Sequence, residues 1–277
     1  MIRPERHVAG RAGTPPADQA HGLRQMFASR VIRFIPVVAS PEARCGGVVL
    51  ERLCTAYESF GLRTLVVDAS TQARVPGELV AFDVAEGIEV LSSHVSYMPA
   101  RGLPLRFADA RGSCAALLGA LADASPQSDV VLLHASASEL VRLLGPARPD
   151  VAVRPLVYTN DLAEGLTQAY AAIKVFSQRG GWMSYDLLVV APTHSTQSQA
   201  VADRLERCAD DFLGVAQRLA VQLDPLQAAH TTPDARFLSL AAGLLRAGMP
   251  YTLGESAFDH LTSPGVALPA RMSPVLN

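Results

Sequence analysis

The sequence predicts an α/β protein in three layers, a mostly parallel sheet with helices on both faces. Three observations predict it. Short runs such as "TLVVD" (64–68), "DVVLLH" (129–134) and "YDLLVVA" (185–191) are apolar on both faces, as strands covered on both sides must be. Amphipathic helical stretches separate these runs, the alternation that crossover connections produce. And 277 residues, 49% of them apolar and 18% charged, are enough to bury a large core.

The elements follow in order. Residues 1–17 are charged, with Gly13, Pro15 and Pro16 near the end, and read as a flexible arm. Asp18 caps a short helix over 18–29, with Ala20, Leu23 and Phe27 along one face. "VIRFIPVVAS" (31–40) is a strand. A helix over 47–60 follows, with Val49, Leu53, Tyr57 and Phe60 on one face and Gly61 as its stop. Strands are expected at 64–68, 88–91 and 129–134, and helices at 111–123 and 137–145. "AVRPLVYT" (152–159) reads as a strand that Pro155 pushes toward an edge or a bulge. Then come a helix over 161–178, a strand over 185–191 and a polar-faced helix over 195–212. The apolar helix over 234–247 carries only Arg236 and Arg246 as basic groups, so it is expected to pack in the core rather than lie on a membrane. These elements make one domain over 31–248. Residues 249–277 lack periodicity and are expected to form a loose tail.

Charge and cysteine usage exclude several classes. A formal net charge of -2 gives no footing for direct nucleic-acid binding. No apolar run reaches the ~18–20 residues that span a bilayer. The arginine-rich start lacks the apolar stretch of a secretory signal, so the expected compartment is the cytoplasm. Cys45, Cys54, Cys114 and Cys208 form no C-x-x-C pair and read as free thiols, and the histidines show no metal-ligand spacing. No metal site and no catalytic residue is expected.

A doubly wound sheet binds its ligand at the carboxyl ends of its strands. Three such ends carry polar groups: Ser40–Gly47, Asp68–Ser70 and His134–Ser138. A phosphate loop needs glycines, a lysine for the β/γ-phosphates and a hydroxyl for Mg²⁺. Here Gly46 and Gly47 keep the tight turn into the helix, but Val48 and Val49 stand where hydroxyls belong. Lys174 is the single lysine among 24 basic residues and lies far along the chain. Arg44 can meet an anion, whereas Pro41 and Cys45 make the loop a poor nest. His134 has no G-x-S-x-G nucleophile near it and is read as a packed or hydrogen-bonded histidine. Arg44, Cys45, Gly46, Gly47, Asp68 and His134 therefore read as a degenerate nucleotide loop, with ATP and Mg²⁺ absent or weakly held.

The three stretches "VVASPEARCGGVV", "GLRTLVVDAS" and "SDVVLLHASAS" resemble, in order and spacing, the MinD/ParA family of deviant P-loop ATPases over about residues 31–220. Asp68 matches the first acid of that family's D-A-D, Ser70 replaces the second, and His134 replaces the metal-side aspartate. Two further stretches narrow the resemblance. "DQAHGLR" (18–24) is similar to the DQAxGLR motif of the flagellar-number regulators of the FlhG/FleN type, and "TQAYAAIKVF" (167–176) to their tDAYaxIK segment. "RCADDFLG" (207–214) resembles the lead-in to their last core strand. The resemblance implies a regulator of flagellum assembly that pairs with an SRP-type GTPase (FlhF-like) through the 18–27 helix. Asp18, Gln19, Ala20, Gly22, Leu23, Arg24 and Phe27 would make that contact. It also implies contact with a flagellar switch component or transcription activator, and a place at the cell pole through such a partner. Two other readings fit the same pattern: a nucleotide-gated ATPase using Arg44, and a MinD-like accessory protein of another polar or cellulose-secretion assembly.

Overall fold

The computed structural model describes residues 30–40, 45–145 and 153–253. The expected arm (1–17) and helix (18–29) lie outside them, with Asp18, Gln19, Ala20, Gly22, Leu23, Arg24 and Phe27. Arg44 and Pro41 also lie outside.

Alternating strands and helices build one large, mostly parallel sheet. In chain order the described elements are β1 (Val31–Val38), α1 (Gly46–Ser59), β2 (Thr64–Asp68), β3 (Glu89–Val90), β4 (Val95–Pro99), α2 (Leu103–Arg106), α3 (Ala116–Ala124) and β5 (Val130–Ala135). There follow α4 (Ala137–Leu144), β6 (Leu156–Asn160), α5 (Ala163–Val175), β7 (Ser184–Val190), α6 (Ser198–Leu213), β8 (Ala216–Leu223), α7 (Pro225–Ala228), α8 (Ala235–Ala247) and β9 (Met249–Thr252). The strand order is β3-β4-β2-β5-β1-β6-β7-β8, with β9 added against β1. β3 and β9 pair antiparallel; the other pairings are parallel.

Strand alternation divides the core into two layers. Ile32, Phe34 and Val38 of β1 face one side with Val131 and Leu133 of β5, under α2 to α6. Ile35 and Val37 face the other with Val130 and Leu132, under α1 and α8. The apolar stripe of α1 (Val49, Leu53, Tyr57) is fully buried there, while Phe60 at its end is partly exposed. The apolar helix of 234–247 is α8, capped by Asp234, with Phe237, Leu240 and Leu244 in the core.

Several expectations need correction. Pro155 does not send its strand to an edge: it sits just before β6, which lies between β1 and β7. A proline in that position loses no ladder donor, and its carbonyl still accepts from Asp186 N–H. The loose tail expected from 249 begins instead with a strand, Met249–Thr252 on Phe34–Val31. The apolar pattern predicts no strand at β4, and β8, which follows 207–214, is expected from the resemblance alone. The helix expected over 111–123 starts only at Ala116, because Asp109 and Gly112 (φ 77°) close a turn ahead of it.

Candidate functional site

The parity of three parallel strands brings the strand-end residues together. β2 and β5 are in register with Asp68 beside His134. Each is an even step from a residue of the α1-side core, Val66 in β2 and Leu132 in β5, so both side chains face α1. Tyr158 shares that face with Leu156 of β6. The sheet thus directs an acid, a histidine and a tyrosine at the start of α1.

They form one chain of hydrogen bonds. His134 Nδ1 lies 2.8 Å from Asp68 Oδ1, and His134 Nε2 lies 2.9 Å from the Tyr158 hydroxyl. Ser40 N–H donates to that hydroxyl at 3.4 Å. Asp68 Oδ1 also accepts from Ser70 N–H at 3.0 Å, and Oδ2 from the Tyr97 hydroxyl at 3.3 Å. Nδ1–H donates to an ionised Asp68, and the Tyr158 oxygen, which accepts from Ser40 N–H, closes the chain at Nε2.

The electrostatics agree with a closed network. Burial alone would raise the Asp68 carboxyl, but the hydrogen bond and charge of His134, with the hydrogen bonds from Ser70, outweigh it and hold the group below the usual carboxylate range. Burial and then the Asp68 charge push the Tyr97 hydroxyl up to about 12. Burial raises Tyr158 as well. Tyr158 is thereby kept as a neutral hydroxyl, suited to donating and accepting rather than to proton transfer.

The network underlies the first turn of α1. A Cβ added to Gly46 would lie 2.8 Å from the Tyr158 hydroxyl and 3.1 Å from His134 Cε1, so only glycine fits. Gly47, one residue on, has nothing within 4 Å of such an atom. Cys45 occupies the N-cap without a side-chain hydrogen bond, and burial pushes its thiol up, away from thiolate chemistry. All four cysteines are free thiols.

At the strand ends both Asp68 oxygens already accept hydrogen bonds, both His134 ring nitrogens have protein partners, and Val49 is buried in the core. An open cleft of about 270 Å³ lies beside them, lined by Ser40, Ser136, Ser138 and Tyr158 among others. Lys174 is exposed on the last turn of α5. Among the described residues no cluster of His, Cys, Asp and Glu could hold a metal ion, and no helix is long and apolar enough to cross a membrane.

Of the six residues read as a degenerate loop, five are placed. Cys45, Gly46, Asp68 and His134 gather at one point, Gly47 stands beside it, and Arg44 is outside the described residues. Sequence reasoning missed Tyr158 and Tyr97. The signal was there in the period of two: each shares its strand's α1 face with an apolar core residue, Leu156 for Tyr158 and Val95 for Tyr97.

No family model and no curated protein matches the chain. Solved structures do. Cobyrinic acid a,c-diamide synthase from Mycobacterium smegmatis, with bound ADP and magnesium, aligns over 78% of this chain and 94% of its own at 18% identity and a TM-score of 0.52. The ATP complex of a McdA variant from Cyanothece aligns over 79% and 96% at 13% identity, with a TM-score of 0.52. A plasmid partition protein from Borrelia burgdorferi bound to AMPPNP aligns over 78% and 97% at 9% identity, with a TM-score of 0.51. Strand order, helices on both faces and these likenesses together give the chain the fold of the ParA/MinD-type P-loop ATPases.

Proposed function

We propose that this chain is a regulator of bacterial flagellum assembly that works through protein contacts and not through ATP turnover. The observation that carries the reading is the Ser40–Tyr158–His134–Asp68 chain of hydrogen bonds. It engages with other protein groups the acid and the histidine at the strand ends, where a metal-bound nucleotide would need free ligands. The missing loop lysine supports it, because positioning and charge neutralisation supply nearly all the catalysis of phosphoryl transfer. The flagellar assignment rests on "DQAHGLR" (18–24), the motif by which the resembling regulators engage an SRP-type GTPase.

Titration calorimetry with ATP and ADP, with and without Mg²⁺, tests the first half. No binding is expected at about 1 mM nucleotide, and Mg²⁺-dependent binding near 1 μM would refute it. Deleting residues 1–30 tests the second half. Association with the flagellar SRP-type GTPase is expected to vanish, and an unchanged association would remove the flagellar reading while leaving the first half intact.

A further inference from the structure

Away from the strand ends, large apolar side chains stand exposed along one stretch. Val75, Leu79, Phe82, Val90 and Leu91 lie between the end of β2 and the start of β4, and Phe82 is 91% exposed. Val75 and Leu79 line an open cleft of about 360 Å³ backed by Val80 and Pro99. β3 is the outermost strand on this side of the sheet. Glu89 and Val90 pair with Tyr97 and Ser96, and Leu91 N–H donates to Val95. The antiparallel alternation therefore turns the Val90 N–H and C=O outward, toward open space.

The charge around these groups is one-sided. Glu78, Asp83, Glu86 and Glu89 are all exposed here, against Arg74, which is itself paired with Glu89 at 2.8 Å. Val75 and Leu79 in the cleft, with Phe82 one turn on from Leu79, mark a contact surface rather than ordinary scatter. The acids decide what it contacts. A second copy set edge to edge would bring like carboxylates together, and an anionic lipid surface would be repelled in the same way.

We propose that this edge docks a segment of a second protein in which apolar side chains are flanked by lysine or arginine. The apolar groups fill the cleft beside Val75 and Leu79 and cover Phe82, and the basic groups meet Glu78 and Glu86. None of its residues belongs to the 18–24 segment or to the three polar strand ends.

Two measurements on the full chain test it. The first is fluorescence polarisation with a labelled peptide of alternating leucine and lysine, beside the same peptide with glutamate for lysine. Two double variants are compared: Glu78→Lys with Glu86→Lys, which spares the Arg74–Glu89 pair, and Leu79→Ser with Phe82→Ser. All four positions are exposed, so an unchanged melting curve verifies the fold. The lysine peptide is expected to bind and the glutamate peptide not. Each double variant should weaken binding by about tenfold or more, and so should raising salt from about 50 to 500 mM. Equal binding by the charge-reversed variant, or none by the wild type, overturns the proposal. The second measurement places a photo-crosslinking amino acid at position 82 in the native cell and sequences the attached peptide. A segment of another protein rich in lysine or arginine supports the proposal. A second copy of this chain, its own residues 1–29 or 254–277, lipid, an acidic segment or no product refutes it.

Discussion

Replacing Tyr158 by Phe deletes a single oxygen and keeps the ring, so it isolates the network beneath α1. That oxygen meets His134 Nε2 at 2.9 Å and Ser40 N–H at 3.4 Å. The His134 side chain is only 5% exposed, so its Nε2 would lose its partner where water scarcely reaches. An orphaned buried polar group costs about 1–3 kcal/mol, and the long Ser40 contact adds a few tenths, for an expected loss of about 2 kcal/mol. Equilibrium urea unfolding measures it: the midpoint should fall with the slope unchanged. A double-mutant cycle with His134→Leu should return a coupling of about 1 kcal/mol or more. A Tyr158→Phe change within about 0.5 kcal/mol of wild type, or additive single effects, would show that the four groups do not act as one chain.

Three further outcomes are expected from stability measurements, and a fourth from exchange. Gly46→Ala should destabilise by about 1–3 kcal/mol, since its Cβ would meet Tyr158 at 2.8 Å, whereas Gly47→Ala should stabilise by up to about 1 kcal/mol; thermal melts of the two distinguish them. Asp186, buried beside Arg154 at 2.7 Å, is raised to about 6 by burial against the pull of that arginine. The folded state then binds its proton more tightly than the unfolded chain, so its contribution, at most about 3 kcal/mol, is present below pH ~4 and lost as pH rises through about 6. Asp68 has the opposite sign: its lowered value contributes stability above the ordinary carboxylate range that is lost in acid, and Asp68→Asn should flatten that acid limb of a pH-stability curve. Arg52 of α1 donates to the carbonyls of Ala228, Thr231 and Thr232, so Arg52→Ala should cost about 2 kcal/mol and speed amide exchange across 228–234.

The parts of this fold that the sequence declares are those whose physics is local. β2, β5 and β7 show as apolar runs and α1 and α8 as stripes, because burial on a strand or a helix face imposes its own period. Elements whose stability comes from neighbours far along the chain stay hidden. β8 mixes exposed Gln222 with buried Val221 at the sheet's edge, and β9 carries a proline and has no alternation of its own. The site divides the same way. Asp68 and His134 end recognisable strands, but what they meet depends on the β2–β5 register and on Tyr158 from a strand that pairs beyond β1. Gly46 and Gly47 look equivalent in "RCGGVV", and only the packing tells them apart.

The place of β9 bears on how the chain reaches this state. β1 lies mid-sheet, yet part of one edge, along Val31–Phe34, is closed by Met249–Thr252. Arg33 is held to the Gly248 carbonyl across 215 residues of sequence. Such separation makes pairing slow, because the loop entropy is lost before the contact forms. A nascent chain therefore carries a central strand with unpaired backbone until nearly all of the domain has been made. A truncation before Met249 would fix it in that state, with β1 open to pairing with another chain.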